Sequence, residues 1–213
     1  MSNFDKLAET VYHGDYSAVK TIIQGMIESG VNPMEIVSKG LLAGMDIVAP
    51  KFKAGEMFIP EVMMAAKALS EGLTIVKPLL SEEDSANVST FVIGTVKGDL
   101  HDIGKNLVVM LLESGGFNVV DLGVDVAPKT FVAAIKEHKP QIVGMCALLT
   151  TTMMAMQDTI DAISAAGLRD KVKVLVGGAP LYPEFADKIG ADGYCVDAVN
   201  CKEMAAKMVA ANK

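Results

Sequence analysis

The chain is expected to be an α/β protein: a helical N-terminal module joined to a sheet domain of flavodoxin or Rossmann type with five parallel strands. Three observations predict this. Residues 1 to about 80 carry helix signals and no convincing strand. Beyond residue 88, short, wholly apolar β-rich runs alternate with helical segments, as in a parallel sheet covered on both faces. Between the two lies the polar stretch Ser81-Glu-Glu-Asp-Ser-Ala-Asn87, which reads as an exposed linker and sets domains of 1–84 and 85–213.

In the first half, helices are expected around 3–13 and 16–29. Asn32-Pro33 starts a third, with a capping side chain followed by proline at the first helical position. Ile36, Val37, Gly40, Leu41, Gly44, Ile47 and Val48 then recur at helical spacing, with small residues where a neighbour could approach closely. Ile59-Pro60 starts a fourth helix, with Val62, Met63, Ala66, Leu69, Leu73 and Val76 on its apolar side; together these make a four-helix bundle. In the second half, strands are expected at 90–96, 118–122, 142–146, 173–176 and 193–196. Helices are expected at 104–114, 129–138, 153–166, 182–189 and 200–211. Ligands in such sheets bind beyond the C-terminal strand ends.

Composition bounds the function. With 51% hydrophobic and 21% charged residues among 213, a sizeable core forms and disorder is not expected. A net charge of −7 argues against nucleic acid or an anionic membrane as partner. No apolar run is long enough to span a bilayer and no signal peptide is visible. Cys146, Cys195 and Cys201 form no CxxC pair and read as reduced thiols, so a cytoplasmic protein is expected.

The first strand runs into Gly94-Thr-Val-Lys-Gly-Asp-Leu-His-Asp-Ile-Gly104, followed by a helix. Asp99 and His101 stand two residues apart between glycines, and a carboxylate so placed can orient an imidazole and raise its basicity. An isolated Asp-x-His is more often a helix-capping loop with a surface histidine, because metal sites usually need three or four ligands. His13 and His138 lie in helical segments and offer no matching spacing. A single protein ligand makes sense when the metal arrives in a macrocycle.

Asp99-x-His101-x-x-Gly104, then Cys146-Ala-Leu148, then Gly177-Gly178 resembles the corrinoid-binding pattern Asp-x-His-x-x-Gly, Ser-x-Leu, Gly-Gly. The separations, 41 residues from Gly104 to Cys146 and 28 from Leu148 to Gly177, match as well. One position departs: Cys146 stands where serine is usual, and a thiol donates a weaker hydrogen bond. The resemblance covers nearly the whole chain. With the helical module it points to the cobalamin region of methionine synthase and to the small corrinoid proteins that serve methanol, methylamines, quaternary amines or aryl methyl ethers.

That resemblance implies a cobalamin or other corrinoid whose cobalt cycles between Co(I) and methyl-Co(III), as in methylcobalamin. His101 would be the axial ligand and Asp99–His101–Thr152 a relay. Gly98, Asp102, Ile103 and Gly104 would line the ligand loop, and Cys146, Leu148 and Thr150 would follow strand three. Gly177, Gly178 and Ala179 would leave room for the nucleotide tail. Ala198 would touch the cofactor, and Phe58, in Gly55-Glu-Met-Phe-Ile-Pro60, would shield its upper face. Met63 and Met64 would be neighbours of that shield or core filling, the reading preferred; Met153, Met154 and Met156 likewise read as core filling. The implied partners are a substrate-specific methyltransferase, a second methyltransferase with a thiol or folate acceptor, and a reductive activator. The competing expectation is a cobalamin-binding sensor, against which stand the acidic composition, the lack of a spare domain and the absence of tryptophan. A radical mutase subunit and a plain flavodoxin-like module fit less of the pattern.

Overall fold

The computed structural model describes residues 2–80 and 88–211. It divides into two compact units, Met1–Val88 with Glu113–Gly116, and Ser89–Leu112 with Phe117–Lys213. The expected linker 81–87 lies outside the described residues.

Among its described residues the first unit contains helices joined by short turns and no strand. Helix α1 (Asn3–Tyr12) starts with a reciprocal capping box: Asp5 N–H donates to Ser2 Oγ at 3.1 Å and Ser2 N–H to Asp5 Oδ2 at 2.8 Å. Asp15 caps α2 (Tyr16–Glu28), and Asn32 caps α3 (Pro33–Glu35), accepting from Met34 N at 2.8 Å. A π-helical stretch, Ile36–Leu42, then leads into α4 (Ala43–Lys53). The last helix is α5 (Ile59–Val76).

The small residues do what their spacing suggested. A Cβ on Gly40 would lie 2.5 Å from Leu7 Cδ2, and one on Gly44 would lie 2.7 Å from the Ala8 carbonyl, so both glycines are sites of close approach to α1. Leu7, Val11, Ile23, Leu41, Val48 and Leu69 fill the core between the helices. The methionine expectation needs correction. Met63 and Met64 are about half exposed, not core filling, because the buried stripe of α5 runs through Val62, Ala65, Ala66 and Leu69 instead. Ile47, too, sits at the surface.

The second unit is a five-stranded, all-parallel sheet in the order β2-β1-β3-β4-β5. The strands are β1 (Thr90–Thr95), β2 (Asn118–Asp121), β3 (Ile142–Cys146), β4 (Lys173–Gly177) and β5 (Gly193–Cys195). One face is covered by α7 (Pro128–His138), α8 (Met154–Ala165) and α9 (Pro183–Lys188), through Phe131, Ile160 and Phe185 on Val92, Val143 and Val174. The other is covered by α6 (Ile103–Ser114) and α10 (Ala198–Ala210), through Leu112 and Cys201 on Phe91, Ile93 and Leu175. Burial on both faces explains why the strands carry no polar alternation. Met156 is buried and Met153 packs on the core, but Met154 is exposed, correcting the expectation for that residue. Helix α10 starts two residues earlier than expected, because Asp197 Oδ1 caps it by accepting from Asn200 N at 2.7 Å.

The strand order places the site. β1 is flanked by β2 and β3, and the chain leaves β1 for α6 on one face but reaches β3 from α7 on the other. The loops after β1 and β3 therefore diverge at a topological switch point, where such sheets open a crevice.

Candidate corrinoid site

The loop after β1 is fixed by its own hydrogen bonds. Asp99 N–H donates to the Val96 carbonyl at 3.1 Å, closing a turn through Gly98, whose φ of +84° suits glycine. Gly98 N–H donates to Asp125 Oδ1 at 2.7 Å, and Asp125 N–H returns to the Asp99 carbonyl at 2.9 Å. Thr95 Oγ1 donates to the His101 carbonyl at 2.9 Å.

Asp99 is fully buried and its two oxygens divide the work. Oδ1 accepts from His101 N at 3.1 Å and lies 2.9 Å from His101 Nδ1. Oδ2 accepts from Leu148 N at 2.7 Å, Leu149 N at 3.3 Å and Thr152 Oγ1 at 2.7 Å, tying the β1 loop to the β3 loop. Burial opposes ionisation of Asp99. The hydrogen bonds from Thr152, Leu148 and His101 outweigh it and hold the carboxyl well below the usual carboxylate range. An ionised carboxylate only accepts, so Nδ1 carries a proton, and in the neutral ring Nε2 is then the nitrogen with the lone pair. The His101 side chain is half exposed.

His101 stands at a cleft of about 670 Å3 in the second unit. Asp102, Ile103, Gly104, Cys146, Leu148, Gly177, Gly178, Ala179 and Ala198 also line it. Leu100, Ile103 and Val196 are unusually exposed for their type, at 72%, 87% and 68%, and edge the cleft with apolar surface. A flat, largely apolar ligand would cover them. Gly178 has φ +140°, and a Cβ there would lie 1.8 Å from the Ala147 carbonyl oxygen, so only glycine lets the β4 loop pass the β3 loop.

Of the residues singled out from sequence, Thr150 is exposed and does not line the cleft; Thr152, buried, is the hydroxyl that meets Asp99. Phe58 belongs to the first unit, where its side chain is 68% exposed at the start of α5. Sequence reasoning missed three contributors. The amides of Leu148 and Leu149 serve Asp99 through backbone, which no side-chain motif records. Asp125 holds Gly98 from 27 residues away. Buried Lys105 lines the cleft, paired with Asp121 and donating to Asn106 Oδ1 at 2.7 Å; its place directly after Gly104 was the available signal.

The donor set suits a metal that brings its own equatorial ligands. Among the described residues no group of three or more His, Cys, Asp or Glu side chains could hold a bare ion, whereas one oriented imidazole stands at an apolar cleft. Sequence profiles described as B12 binding domains match residues 89–200 and 4–77. The chain belongs to the B12-binding corrinoid proteins. It is 42% identical over 191 residues to trimethylamine corrinoid protein 2 of Methanosarcina mazei, covering 89% of this chain and 88% of that one. It is 40% identical over 210 residues to the dimethylamine corrinoid protein of Methanosarcina barkeri, covering 97% and 99%. In structure it is similar to a chain of the methanol:cobalamin methyltransferase complex MtaBC from Methanosarcina barkeri, with a TM-score of 0.85 and 33% identity over 96% of this chain and 78% of that one. The family expected from the three-part motif is thus the family found.

Proposed function

We propose that this corrinoid protein carries a methyl group between partner methyltransferases, with His101 Nε2 as the lower ligand of the cobalt. The observation that carries the reading is the Asp99–His101 pair at 2.9 Å, fixed beside an apolar cleft in a chain of the B12-binding family. The bound corrinoid supplies a cobalt centre that accepts and releases the methyl group. The protein supplies binding, orientation and tuning.

Asp99 keeps a proton on Nδ1 and fixes the ring, so His101 would hold the cobalt through Nε2 without rearranging. Thr152 completes the Asp99–His101 relay. Gly98 lets the loop turn, and Asp102, Ile103 and Gly104 carry it into α6 along the cleft. Cys146, Leu148, Gly177, Gly178, Ala179 and Ala198 line the cleft and would hold the nucleotide tail. The domains are 1–84 and 85–213, and Phe58 of the helical domain would shield the bound methyl group.

The methyl donor is a methylated amine or alcohol chosen by the first methyltransferase; relatives named for trimethylamine and dimethylamine support the amine class. A second methyltransferase passes the group to a thiol or folate acceptor, and a reductive activator returns oxidised cobalt to service. The free cysteines fit the reducing cytoplasm. No helix among the described residues is long and apolar enough to cross a membrane.

The test is paramagnetic resonance of the protein reconstituted with Co(II) corrinoid. Nitrogen coupling from imidazole should appear and should vanish in His101→Ala. Coupling that persists unchanged in the variant would overturn the ligand assignment.

A further inference from the structure

Cys146, Cys195 and Cys201, the three cysteines of the chain, all line this cleft. The strand register explains how. Thr95, Cys146, Gly177 and Cys195 are successive cross-strand partners on β1, β3, β4 and β5 and so form one row on one face of the sheet. The row beneath it is Ile93, Gly144, Leu175 and Gly193. Gly144 opens nothing, because a Cβ there would lie 2.6 Å from the Phe91 ring, which already fills the space. Gly177 leaves the gap between the two thiols.

The chemistry of that floor is narrow. The row's one hydroxyl, on Thr95, is committed to the His101 carbonyl and is not part of the lining. Cys195 and Cys201 are both buried, and the neighbouring Cys195 together with burial pushes the Cys201 thiol up. Burial pushes the Cys146 thiol up to about 12, so it remains a neutral, weak donor. The ammonium of Lys105, which also lines the cleft, is occupied by Asp121 and Asn106.

Corrinoids share a ring and differ in the base that ends the nucleotide tail: alkylated benzimidazoles show only carbon at their outer edge, whereas hydroxybenzimidazoles and purines carry hydroxyl or amino groups. We infer that the Cys146–Gly177–Cys195 floor makes this chain selective for corrinoids whose tail base is alkylated and against those whose base carries a polar substituent. The inference rests on the proposed function, in which the tail occupies this slot. A polar substituent would lose its water and meet thiols in return, which should weaken binding by about ten- to hundred-fold. Cys146 is the residue that sets the preference, since a hydroxyl at this position would restore a full donor and acceptor.

The test measures equilibrium affinities of the full chain for dimethylbenzimidazolyl and hydroxybenzimidazolyl cobamides and for cobinamide, which lacks the nucleotide. The wild type should prefer the dimethyl form by at least about ten-fold, and Cys146→Ser should cut that ratio several-fold. Equal affinities in the wild type, or a ratio untouched by Cys146→Ser, overturn the inference. Gly177→Ala gives an independent reading, because its Cβ would stand 3.1 Å from the Cys195 carbonyl oxygen and narrow the gap. It should weaken both complete cobamides while leaving cobinamide affinity unchanged; equal weakening of all three means that the tail lies elsewhere. Imidazole nitrogen coupling, recorded on the same samples, separates the two levels. Coupling with equal affinities sinks the selectivity alone, and absent coupling sinks the proposed function and the selectivity with it.

Discussion

Asp99→Asn exchanges one oxygen for an amide nitrogen without changing shape, and the hydrogen bonds decide which. If the nitrogen took the Oδ2 position, it would face the amides of Leu148 at 2.7 Å and Leu149 at 3.3 Å, two donors that cannot turn. Placed at Oδ1 instead, it faces His101 N at 3.1 Å, also a fixed donor, but its other neighbour is Nδ1 at 2.9 Å. That ring nitrogen can become an acceptor if the proton moves to Nε2. The second arrangement leaves fewer conflicts, so the variant should hold His101 in the tautomer whose Nε2 carries hydrogen and cannot ligate cobalt. Recovering the ligating form then means breaking the new bond without regaining the charge-assisted one. A hydrogen bond to a charged group contributes about 1.5–3 kcal/mol, so the ratio of histidine-bound to histidine-free cofactor should fall roughly 10- to 150-fold. Two assays check this. Nitrogen NMR of the cofactor-free protein should show the proton on Nδ1 in the wild type and on Nε2 in the variant, and resonance of the Co(II) form should show the matching loss of imidazole coupling. An unchanged tautomer together with a histidine-bound fraction within two-fold of wild type would refute the reasoning and leave Asp99 as a tie between two loops.

Thr152→Val removes the 2.7 Å hydrogen bond to Asp99 Oδ2 and should cost about 1.5–3 kcal/mol in hydrogen-exchange protection of β3 amides, with Thr152→Ser recovering most of it. The Asp99 carboxyl is held below its unfolded pKa, so its contribution is present at neutral pH and is lost as pH falls below about 4. The stability difference between wild type and Asp99→Asn, followed by urea unfolding, should therefore shrink on the acid side. Cys146 should resist maleimide at pH 8, because a thiol with a pKa of about 12 is ionised in only about one molecule in ten thousand; rapid labelling would show that the thiol is not held neutral. Gly44→Ala would set a Cβ 2.6 Å from that of Val11 and should cost about 1–3 kcal/mol, read as faster exchange of α1 amides.

The sequence exposed some of this architecture and concealed the rest for identifiable reasons. Strand positions were legible because a parallel sheet buried on both faces writes itself as short apolar runs such as Phe91-Val-Ile93 and Val174-Leu-Val176. Gly40 and Gly44 announced a close helix contact by their four-residue spacing. The π-helical turns over Ile36–Leu42 left no mark, since their side chains fit ordinary helical spacing. Met63 looked like a core residue for the same reason: periodicity defines a face only to within about a quarter turn, and the wide apolar face of α5 let its edge pass for its centre. At the site, Asp99 and His101 were readable because both act through side chains two positions apart. The partners that arrive through space from Leu148, Leu149 and Asp125 depend on where separate loops meet.

That division explains the construction of the site. A half-exposed histidine on a surface loop would normally sample many ring orientations. What fixes it is a carboxylate that donates nothing and accepts five times, drawing the β1 and β3 loops together from beneath while leaving Nε2 facing outward. Burial makes the arrangement all or nothing. An Asp99 with fewer donors would be driven toward its neutral form by desolvation, and a neutral carboxyl could no longer hold the proton on Nδ1. Thr152 and the amides of Leu148 and Leu149, none of which touches the His101 ring, therefore decide which of its nitrogens is available to a metal.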